Sequence, residues 1–477
     1  MKHTTFALLA IISLLGVTIA AAATRPQYGG DLRVEMRERV NSMDPRDWNI
    51  EDTPDQMLDL VFERLFRLDD AGKPEPALGS LYSVSDNNTV WQFQLRSGVK
   101  FHDGTPLTAA EAATVLQSEI DPAEWVITNS GNLITFNCKV ARVCLADLEE
   151  RLATGHTYIF HAAQNTVYGT GPFRIVQWTP QKRLQLAASE NHWGGRPFVD
   201  RIDITLGVNS QQLIVDLQLR KADVIELAPN LSRRADDAVG SRVWASAPVE
   251  LYAMEFNAKK TSEHSAEISR ALSFAIDRSV IANALLQGRG EPAGSLLPQW
   301  LSGYSFLFPT TQDLAQAKQL RAQVSGPVQL ALVYDGNDPS AGIIAERVVL
   351  NAKDAGIVVS ARPLRGTAAD RDADLSLARL RFSTPDPKEA LHEALQRFGA
   401  APDIDANSPQ RGTPEQRYIV ERTALEGGGV IPLVFVPELY LLAAQVRDWM
   451  PPRWGGWRLE DVWLESGQRT TAENSKP

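Results

Sequence analysis

A few short motifs in the 477-residue chain have residue types and spacings that occur in catalytic sites. His392 and Glu393 begin like the zinc-binding pattern H-E-x-x-H, but Gln396 stands where the second histidine would bind the metal. Ser97 and Lys100 have the S-x-x-K spacing of an acylated serine and its base, yet no K-T-G segment follows them. We therefore predict neither a zinc site nor an acylated serine at these positions.

Two further segments combine residue types that are common in active sites. The run from Gly169 to Pro172 is rich in glycine, but a strand-like sequence follows it, whereas a phosphate-binding loop opens a helix. His102 and Asp103 are adjacent in a turn, and adjacent residues of a turn rarely reach the same substrate atom. We interpret both segments as structural turns. Because no nucleophile–base pair can be found, we predict that the chain is not an enzyme.

The charge of the chain excludes one large class of partners. Lys and Arg number 48 and Asp and Glu number 58, which gives a formal net charge of −10. Nucleic-acid binding depends on clustered Lys and Arg, and the sequence has no run of five like charges, so we expect no nucleic-acid partner. Seven His and two Cys leave few ligands for a metal site, and we expect neither a bound metal nor another cofactor.

The N-terminus is typical of an exported protein. Lys2 precedes an apolar run from Phe6 to Ile19, and four alanines end at Ala23. This order predicts a signal peptide over residues 1–23, cleaved after Ala23. An uncleaved membrane anchor is the alternative, although the run is shorter than the roughly 20 residues that a spanning helix needs. No cysteine lies near the cleavage site, so we expect a soluble exported protein that is not a lipoprotein.

The two cysteines, Cys138 and Cys144, both lie in the mature chain. Export leads to an oxidising compartment, where a local disulfide between them would close a small loop. Two free thiols are the alternative interpretation. A redox or metal-binding pair would instead favour the tighter C-x-x-C spacing with histidines nearby.

Periodicity predicts the strand and the helix on either side of Ser97, Lys100, His102 and Asp103. Trp91–Arg96 alternates apolar and polar residues, which indicates a half-buried strand. Thr108 and Glu111 have the spacing of a capping box, which predicts a helix that begins there. In such a box the Thr108 hydroxyl accepts from the amide of Glu111, and the Glu111 side chain reaches back to the cap.

The second half of the chain alternates between strand and helix patterns. Val328–Leu332 reads as a strand, Ala341–Ala355 as a helix and Ile357–Val359 as a second strand. This β-α-β order favours an α/β lobe with parallel strand pairing. Farther along, Ile431–Leu442 contains two apolar runs, which we predict to be two strands interrupted by Pro437.

Taken in order, ten segments resemble the family 5 extracellular solute-binding proteins, the peptide/nickel-type receptors of ABC importers. The most specific segment, Trp91–Ala109, reads WQFQLRSGVKFHDGTPLTA. The others are GGDLRV from Gly29, SMDP from Ser42, VFERL from Val61, PEPAL from Pro74, YGTGPF from Tyr168, NHWGGRP from Asn191, RALSFAIDR from Arg270, LLP from Leu296 and PDP from Pro385. The resemblance runs from near the predicted cleavage site almost to the C-terminus.

This resemblance implies an α/β protein with the two-lobed, type II periplasmic-binding-protein-like fold. The first lobe would span residues 24–250, with a small inserted subdomain at about 46–166. The second lobe would span residues 251–436, and residues 437–477 would return to the first lobe and end in a tail. Residues 119–166 look shortened against the family, which would reduce the inserted subdomain and change the wall of the pocket.

The same resemblance implies a function in transport. Family members bind a peptide or another small solute in the cleft between the lobes, and a hinge motion closes the cleft around it. A permease in the inner membrane then distinguishes the closed, loaded form. On this resemblance we expect a monomeric periplasmic receptor of an ABC importer, whose partners are a small solute and that permease. The motifs quoted above we assign to the fold rather than to the ligand.

One motif allows ligand-binding residues to be carried over. Peptide-binding members place a Trp, and three residues later an Asp, before the segment that here is Pro385–Pro387, and that Asp binds the peptide's ammonium group. The matching residues of this chain are Leu380 and Ser383. Ser383 brings no charge, so we expect simple peptides to bind weakly. Ser383 and Asp386 are our candidate ligand-binding residues, with a structural turn as the alternative role of Asp386.

Two other functions stay open at the level of the sequence. The first is an import-independent exported sensor or a chaperone-like binder on the same fold. The second, which lacks a recognisable nucleophile and base, is an exported hydrolase. A permease and an ATPase encoded beside the gene would favour the importer, and an isolated gene would favour the sensor or chaperone.

Overall fold

The computed structural model describes residues 25–47, 55–85, 87–139, 148–154, 157–164, 166–236, 240–260, 265–304, 308–367, 370, 372–398 and 413–465. The predicted signal peptide lies outside these residues. Within them, no helix combines the length and the apolar character that a membrane crossing requires.

The β-strands are short, apart from two. They are β1 (Asp31–Glu35), β2 (Phe66–Leu68), β3 (Pro74–Pro76), β4 (Gly79–Val84), β5 (Val90–Leu95), β6 (Trp125–Ser130), β7 (Leu133–Cys138), β8 (His161–Ala163), β9 (Thr166–Tyr168), β10 (Phe173–Thr179), β11 (Arg183–Ala188), β12 (Arg201–Thr205), β13 (Val224–Glu226), β14 (Ser241–Phe256), β15 (Glu291–Pro292), β16 (Gln329–Tyr334), β17 (Val358–Pro363), β18 (Leu375–Arg381), β19 (Val430–Ala443), β20 (Val446–Arg447) and β21 (Trp463–Leu464). The two long strands, β14 and β19, have 16 and 14 residues.

Helices alternate with these strands along the chain. They are α1 (Asp55–Leu58), α2 (Ala109–Glu119), α3 (Leu148–Arg151), α4 (Ser210–Gln218), α5 (Ser232–Asp236), α6 (Ser265–Ala275), α7 (Arg278–Val280), α8 (Gln299–Ser302), α9 (Leu314–Ala322), α10 (Pro339–Asp354), α11 (Pro387–Arg397) and α12 (Pro414–Glu426). Two 3₁₀ turns (Pro229–Leu231 and Ala258–Lys260) and a π turn (Ile281–Leu285) complete the described helical segments.

One large mixed sheet runs through the described part of the molecule. Its strand order is β10-β11-β12-β1-β13-β19-β14-β18-β16-β17, and β15 pairs with β19 beside this path. β1 pairs in parallel with β12 and β13, and β16 pairs in parallel with β17 and β18. The antiparallel pair β14–β19 lies in the middle and joins these two parallel portions.

The pair β14–β19 is irregular at its centre. Its register shifts between Ala245 and Glu250, where Pro248 lies opposite Pro437. Proline has no amide hydrogen for a strand ladder and is therefore tolerated at bulges. The prediction of two strands interrupted by Pro437 is thus wrong, since β19 continues through this residue.

Separate hydrophobic cores lie on the two sides of this irregularity. The first core packs β1, β11 and β12 against the C-terminal end of β19 and the tryptophans Trp449 and Trp457. The second core packs α6 and α10 against β16, β17, the C-terminal half of β14 and the beginning of β19. A third core lies between α2 and the four-stranded sheet β4-β5-β7-β6, and its buried residues come from the segment that begins at Leu65 and ends at Ile159. The predicted lobe and subdomain boundaries stay predictions.

Local sequence patterns explain several of these elements. The helix predicted at 341–355 is α10, which begins two residues earlier at Pro339 and is followed by Gly356 with φ +80°. The strands predicted on either side of it are β16 and β17, and their parallel pairing is confirmed. The predicted capping box forms only in part. Thr108 accepts from the amide of Glu111 at 3.2 Å, but the Glu111 carboxylate lies 2.6 Å from Nδ1 of His161 instead of returning to the cap.

Candidate functional site

Charged side chains from five parts of the fold meet between the first and second cores. They follow β1, end β13, precede α10, and project from β18 and from the central irregularity of β14–β19. We call this group the cleft cluster, and its members are Arg37, Glu38, Glu226, Glu250, Asp338, Arg379, Arg381 and Glu438. With three arginines and five acids, the cluster has more carboxylates than guanidinium groups.

Arg37 connects the two sides of the cleft. Its guanidinium forms an ion pair with Glu226, whose carboxylate also accepts from the Arg37 amide at 2.8 Å. On the opposite side, Nη1 of Arg37 lies 3.5 Å from Asp338, the N-cap of α10. The Arg37 side chain is only 9% exposed, so both contacts are shielded from water. Buried ion pairs of this kind depend on correct geometry more than surface pairs do.

The second half of the cluster is built around β18. Arg379 lies 3.1 Å from Glu250 and 3.9 Å from Asp338, while Arg381 forms an ion pair with Glu438. Because side chains two residues apart in a strand project to the same face, Arg379 and Arg381 reach the cleft together. A second oxygen of Glu438, Oε2, is buried without a hydrogen-bond partner among the described residues.

Burial and the arginines act in opposite directions on these carboxyls. Burial raises the pKa of Glu250 to about 7, although Arg379 opposes the shift, and burial likewise raises the pKa of Glu38. Burial would also raise the pKa of Glu226 and of Asp338, but the charges of Arg37 and Arg379 outweigh it and hold both pKa values below their ordinary values. The cleft therefore combines carboxylates that stay ionised with one that titrates near neutral pH.

Two cavities adjoin this cluster and share Arg37. The smaller, of about 20 Å³, lies among Glu38, Glu226, Glu250 and Arg379. The larger, of about 350 Å³, extends from Arg37 over α4 and the beginning of α10. Its residues are Arg37, Arg39, Gly207, Val208, Asn209, Ser210, Gln211, Asn230, Leu231, Gly336, Asn337 and Pro339. A volume of this size falls in the range of small-molecule pockets.

The two predicted ligand-binding residues lie in neither of these cavities. The hydroxyl of Ser383 donates to the carboxylate of Glu393 in α11. Asp386 caps α11 and accepts from the amide of Glu389 at 2.7 Å. Leu380, at the position of the family's Trp, is buried in β18 between the two arginines of the cleft cluster. A ligand role of Ser383 and Asp386 stays a prediction.

The predicted disulfide lies only partly within the described residues. Cys138 ends β7 and is disulfide-bonded. Cys144 lies outside the described residues, so the pairing of the two cysteines stays a prediction. Within the described part of the chain, no three His, Cys, Asp or Glu side chains are grouped so that they could hold a metal ion.

Four of the motifs that we assigned to the fold meet around Glu63, which lines neither of these two cavities. Its carboxylate accepts from the hydroxyl of Thr170 at 2.8 Å and from the indole of Trp193 at 3.0 Å. It also lies 3.2 Å from Nε2 of His192. His102, next in this group, contacts the carbonyl of Gly171 at 2.9 Å. Four motifs that are distant in sequence are therefore joined by hydrogen bonds at one place.

Sequence reasoning missed the arginines of the cleft. The signal was present in β18, which reads LSLARLR, because charged residues at alternate positions of an otherwise apolar strand are rarely buried without a partner. No local pattern marks Arg37 or Arg39, which follow β1 in the irregular segment after it.

Comparisons with known proteins agree with this architecture. The sequence profile of bacterial extracellular solute-binding proteins, family 5 Middle, matches residues 73–126 and 143–401. The nickel-binding protein NikA of Staphylococcus aureus is 25% identical over 390 residues, 77% of each chain. The probable D,D-dipeptide-binding periplasmic protein DdpA of Escherichia coli is 25% identical over 394 residues, 74% of this chain and 72% of the relative.

Solved structures show the same fold at lower sequence identity. The structure of Staphylococcus aureus NikA with Ni(L-His)2 has a TM-score of 0.77 at 19% identity and covers 91% of this chain and all of its own. Bacillus subtilis AppA with a nonapeptide has a TM-score of 0.76 at 17% identity, covering 93% of this chain and all of its own. These likenesses confirm the predicted α/β fold of periplasmic binding proteins.

Proposed function

The chain belongs to the family 5 bacterial extracellular solute-binding proteins, and from this premise we propose that it is the solute receptor of an ABC importer. Proteins of this family are transport binding proteins and not enzymes. The names of its relatives span nickel, heme, glutathione and dipeptides, so the family alone leaves the solute open. The observation that carries the proposal is the 350 Å³ cavity between the two cores, which residues from both sides line.

The arrangement around this cavity supports a closing motion. Asn209 and Asn230 line it from the side of α4 and β13, and Asn337 and Pro339 line it from the side of α10. A solute that contacts both sides stabilises the closed arrangement, because it binds the open one less well. Bending would concentrate where β14 and β19 shift register, between Ala245 and Glu250.

The domain organisation and location follow from the same proposal. The first lobe comprises residues 24–250 with residues 437–477, and the second lobe comprises residues 251–436. Along β19 the residues of the second core end at Val436 and those of the first core begin at Tyr440, which supports a division at 436. Residues 1–23 export the chain to the periplasm, where the mature monomer binds its solute and delivers it to the permease.

Solute-driven closure can be tested on the mature protein purified without denaturation. Mass spectrometry identifies the solute that copurifies, and the stripped protein is then titrated with that solute. We expect the radius of gyration from small-angle scattering to fall as the solute binds, because contacts to both sides close the cleft. Binding without compaction would contradict a closing receptor. Uptake of the solute by membrane vesicles that carry the permease separates an importer from a sensor or a chaperone-like binder.

Free peptides are a disfavoured solute class, because Ser383 stands at the position of the ammonium-binding Asp. Its hydroxyl is already donated to Glu393. A peptide ammonium buried there would meet a hydroxyl in place of the family's Asp, and the neighbouring carboxylate of Glu393 already accepts from Ser383. We expect di- to pentapeptides to bind weakly in isothermal titration calorimetry, and N-acetylated peptides to bind no worse. Tight binding of free peptides that N-acetylation abolishes would show that another carboxylate binds the ammonium group.

A further inference from the structure

The larger cavity of the cleft differs in charge from the cleft cluster beside it. Among the described residues that line it, two are arginines and none is acidic. Asn209, Ser210, Gln211, Asn230 and Asn337 provide amide or hydroxyl groups around the same space. The lining therefore offers positive charge and hydrogen-bond donors together, which is the combination that recognises an anion.

The two arginines differ in how far their charges are compensated. Arg37 is paired with Glu226 and Asp338, but its Nε is buried without a hydrogen-bond partner among the described residues. Arg39 is exposed and forms no ion pair with the described part of the chain. A Cβ on Gly207 would lie 3.2 Å from Nε of Arg39, so the guanidinium passes directly over this glycine, itself a residue of the cavity wall.

Two helices begin at the cavity. α4 has nine residues and a neutral cap, Asn209, which accepts from the amide of Gln211 at 2.9 Å. α10 has 16 residues, and its cap Asp338 places a carboxylate at its first turn. Free amides and the helix dipole favour negative charge at a helix N-terminus. Because Asp338 already satisfies this preference at α10, α4 is the helix that has no anion of its own.

The opposing charges lie on the far side of Arg37. Glu38, Glu226 and Glu250 line the smaller cavity and do not line the larger one. Arg37 is the residue common to the two, so it separates a carboxylate-rich chamber from a carboxylate-free one. An anion in the larger cavity would contact Arg39 and α4. The carboxylate nearest to its lining, Asp338 between Asn337 and Pro339, already faces Arg37 at 3.5 Å.

We propose that the larger cavity binds a carboxylate or phosphate group of the transported solute, with Arg39 as its main charge partner and the N-terminus of α4 as its second. The proposal rests on the function proposed above and narrows it to solutes that carry a negative group. A cavity of about 350 Å³ has room for a compact organic anion, since a water molecule occupies roughly 30 Å³ of liquid.

The test uses the mature, stripped protein and three probes: succinate, inorganic phosphate, and succinamide as the uncharged counterpart of succinate. We expect at least one of the two anions to bind in isothermal titration calorimetry and to raise the melting temperature, while succinamide does neither. Preference for succinate would indicate a carboxylate solute, and preference for phosphate a phosphorylated one. The absence of binding by both anions would overturn the proposal, as would equal binding of succinamide.

Arg39→Gln removes the unpaired charge and should weaken anion binding by roughly tenfold or more, as loss of a charge-assisted hydrogen bond does. Arg174→Gln is the matched control, because Arg174 is an exposed arginine on the edge strand β10 and loses the same net charge. Arg39 forms no hydrogen bond or ion pair with the described residues, so its replacement should leave the melting temperature of the free protein unchanged.

Equal anion affinity in the wild type and Arg39→Gln would overturn the proposal. The copurifying solute distinguishes this failure from failure of the proposed function. The copurifying solute could be uncharged, could still compact the protein, and could bind to Arg39→Gln with the same affinity as to the wild type. That result would support the proposed receptor function and overturn the proposed anion site.

Discussion

Gly169 and Gly171 lie so close to a neighbouring backbone that a side chain has no space. A Cβ on Gly169 would lie 1.9 Å from the carbonyl oxygen of Val61, and one on Gly171 would lie 2.7 Å from its carbonyl carbon. The amide of Gly171 donates to the same carbonyl at 3.0 Å. These glycines therefore allow two segments about 100 residues apart to pair. This packing explains the glycine-rich motif, and a phosphate-binding role is not needed to explain it.

Gly169→Ala should lower the free energy of unfolding by about 3 kcal/mol or more, because the added methyl group must displace backbone rather than a flexible side chain. Urea unfolding followed by circular dichroism measures the effect. Gly429→Ala is the control, since a Cβ on Gly429 would meet no atom within 4 Å. Similar small effects of both substitutions would show that the 60–62 segment moves aside at little cost.

Glu421 is a buried carboxyl within the second half of the molecule. It accepts from the amide of Leu296 and, at 3.2 Å, from that of Leu297. Burial raises the pKa of Glu421 to about 7, and these amides only partly oppose the shift. The LLP motif at 296–298 thus depends on a carboxyl that is partly protonated at neutral pH.

The stability of the protein should fall as the pH rises through this range. Below the ordinary pKa of about 4.5, Glu421 is protonated in both the folded and the unfolded state. Above that pH the unfolded chain releases the proton first, so stability is lost progressively until about pH 7. The shift corresponds to about 3 kcal/mol.

Glu421→Gln should remove this dependence, because the amide resembles the protonated carboxyl. The free energy of unfolding of the wild type, minus that of Glu421→Gln at the same pH, should decrease between pH 5 and pH 8. Glu426→Gln, an exposed residue of the same helix, should follow the wild type at every pH. A constant difference between the wild type and Glu421→Gln across this range would indicate that Glu421 is ionised in the folded protein.

At the scale of elements, Arg278 joins a helix to the central strand pair. It follows α6, is 2% exposed, and donates to the carbonyl of Pro432 in β19 at 2.9 Å and to that of Ser273 at 2.8 Å. Burial lowers the pKa of Arg278 to about 10, which still leaves it charged at neutral pH. Main-chain carbonyls, rather than a carboxylate, therefore satisfy its charge, and the RALSFAIDR motif fixes α6 against β19.

Arg278→Lys should lower the free energy of unfolding by about 2 to 4 kcal/mol, since an ammonium group cannot reproduce the planar fork that reaches both carbonyls. Chemical denaturation of the full chain provides the measurement. Arg270→Lys lies in the same motif but on an exposed side chain, and we expect little change from it. If Arg278→Lys left the free energy of unfolding unchanged, water or a shifted backbone would be donating the hydrogen bonds to the carbonyls of Pro432 and Ser273.

The elements that could be predicted are those whose patterns are local. α10 has one apolar face, a capping residue at Asp338 and a glycine after its end, and β16 and β17 on its two sides were equally recognisable. β19 could not be predicted as one strand, because Pro437 is a strand breaker unless its partner is also irregular. That partner, Pro248, lies almost 190 residues away.

At the scale of the whole molecule, direct contacts already hold the two sides of the cleft together. Arg37 reaches Asp338 at 3.5 Å, and the hydroxyl of Ser340 donates to the side chain of Asn230 at 3.3 Å. Near the third core, a Cβ on Gly72 would lie 2.7 Å from Pro385. An ion pair and a hydrogen bond therefore cross the cleft, and both must break for its two sides to separate.

Asp338→Asn should favour a more open protein when no solute is bound. Asparagine retains the cap of α10 but removes the charge that faces Arg37 and Arg379. We expect a larger radius of gyration of the stripped protein in small-angle scattering. Asp335→Asn, an exposed neighbour that accepts from Asn337, is the control and should match the wild type. An unchanged radius in Asp338→Asn would indicate that other contacts are sufficient for closure.

The candidate site could not be predicted from the sequence in the way the helices could. Arg37, Glu226 and Arg379 are separated by more than 150 residues at each step, and only the order of strands in the large sheet brings them together. The family resemblance indicated a cleft and pointed to Ser383 and Asp386. Both contact α11, and their ligand role stays a prediction. The charge of the cavity depends on residues in irregular segments, where periodicity carries no information.

The hydrogen-bonded pairing of β14 with β19 restricts how the cleft can open. Each strand passes from one core to the other, and on either side of the irregularity the ladder fixes which residues lie opposite each other. Sliding one strand along the other would break the ladder, and a slip of one residue would turn every side chain of that strand to the wrong face. For the closing motion proposed above, bending and twisting at the irregularity are therefore the movements that preserve these hydrogen bonds.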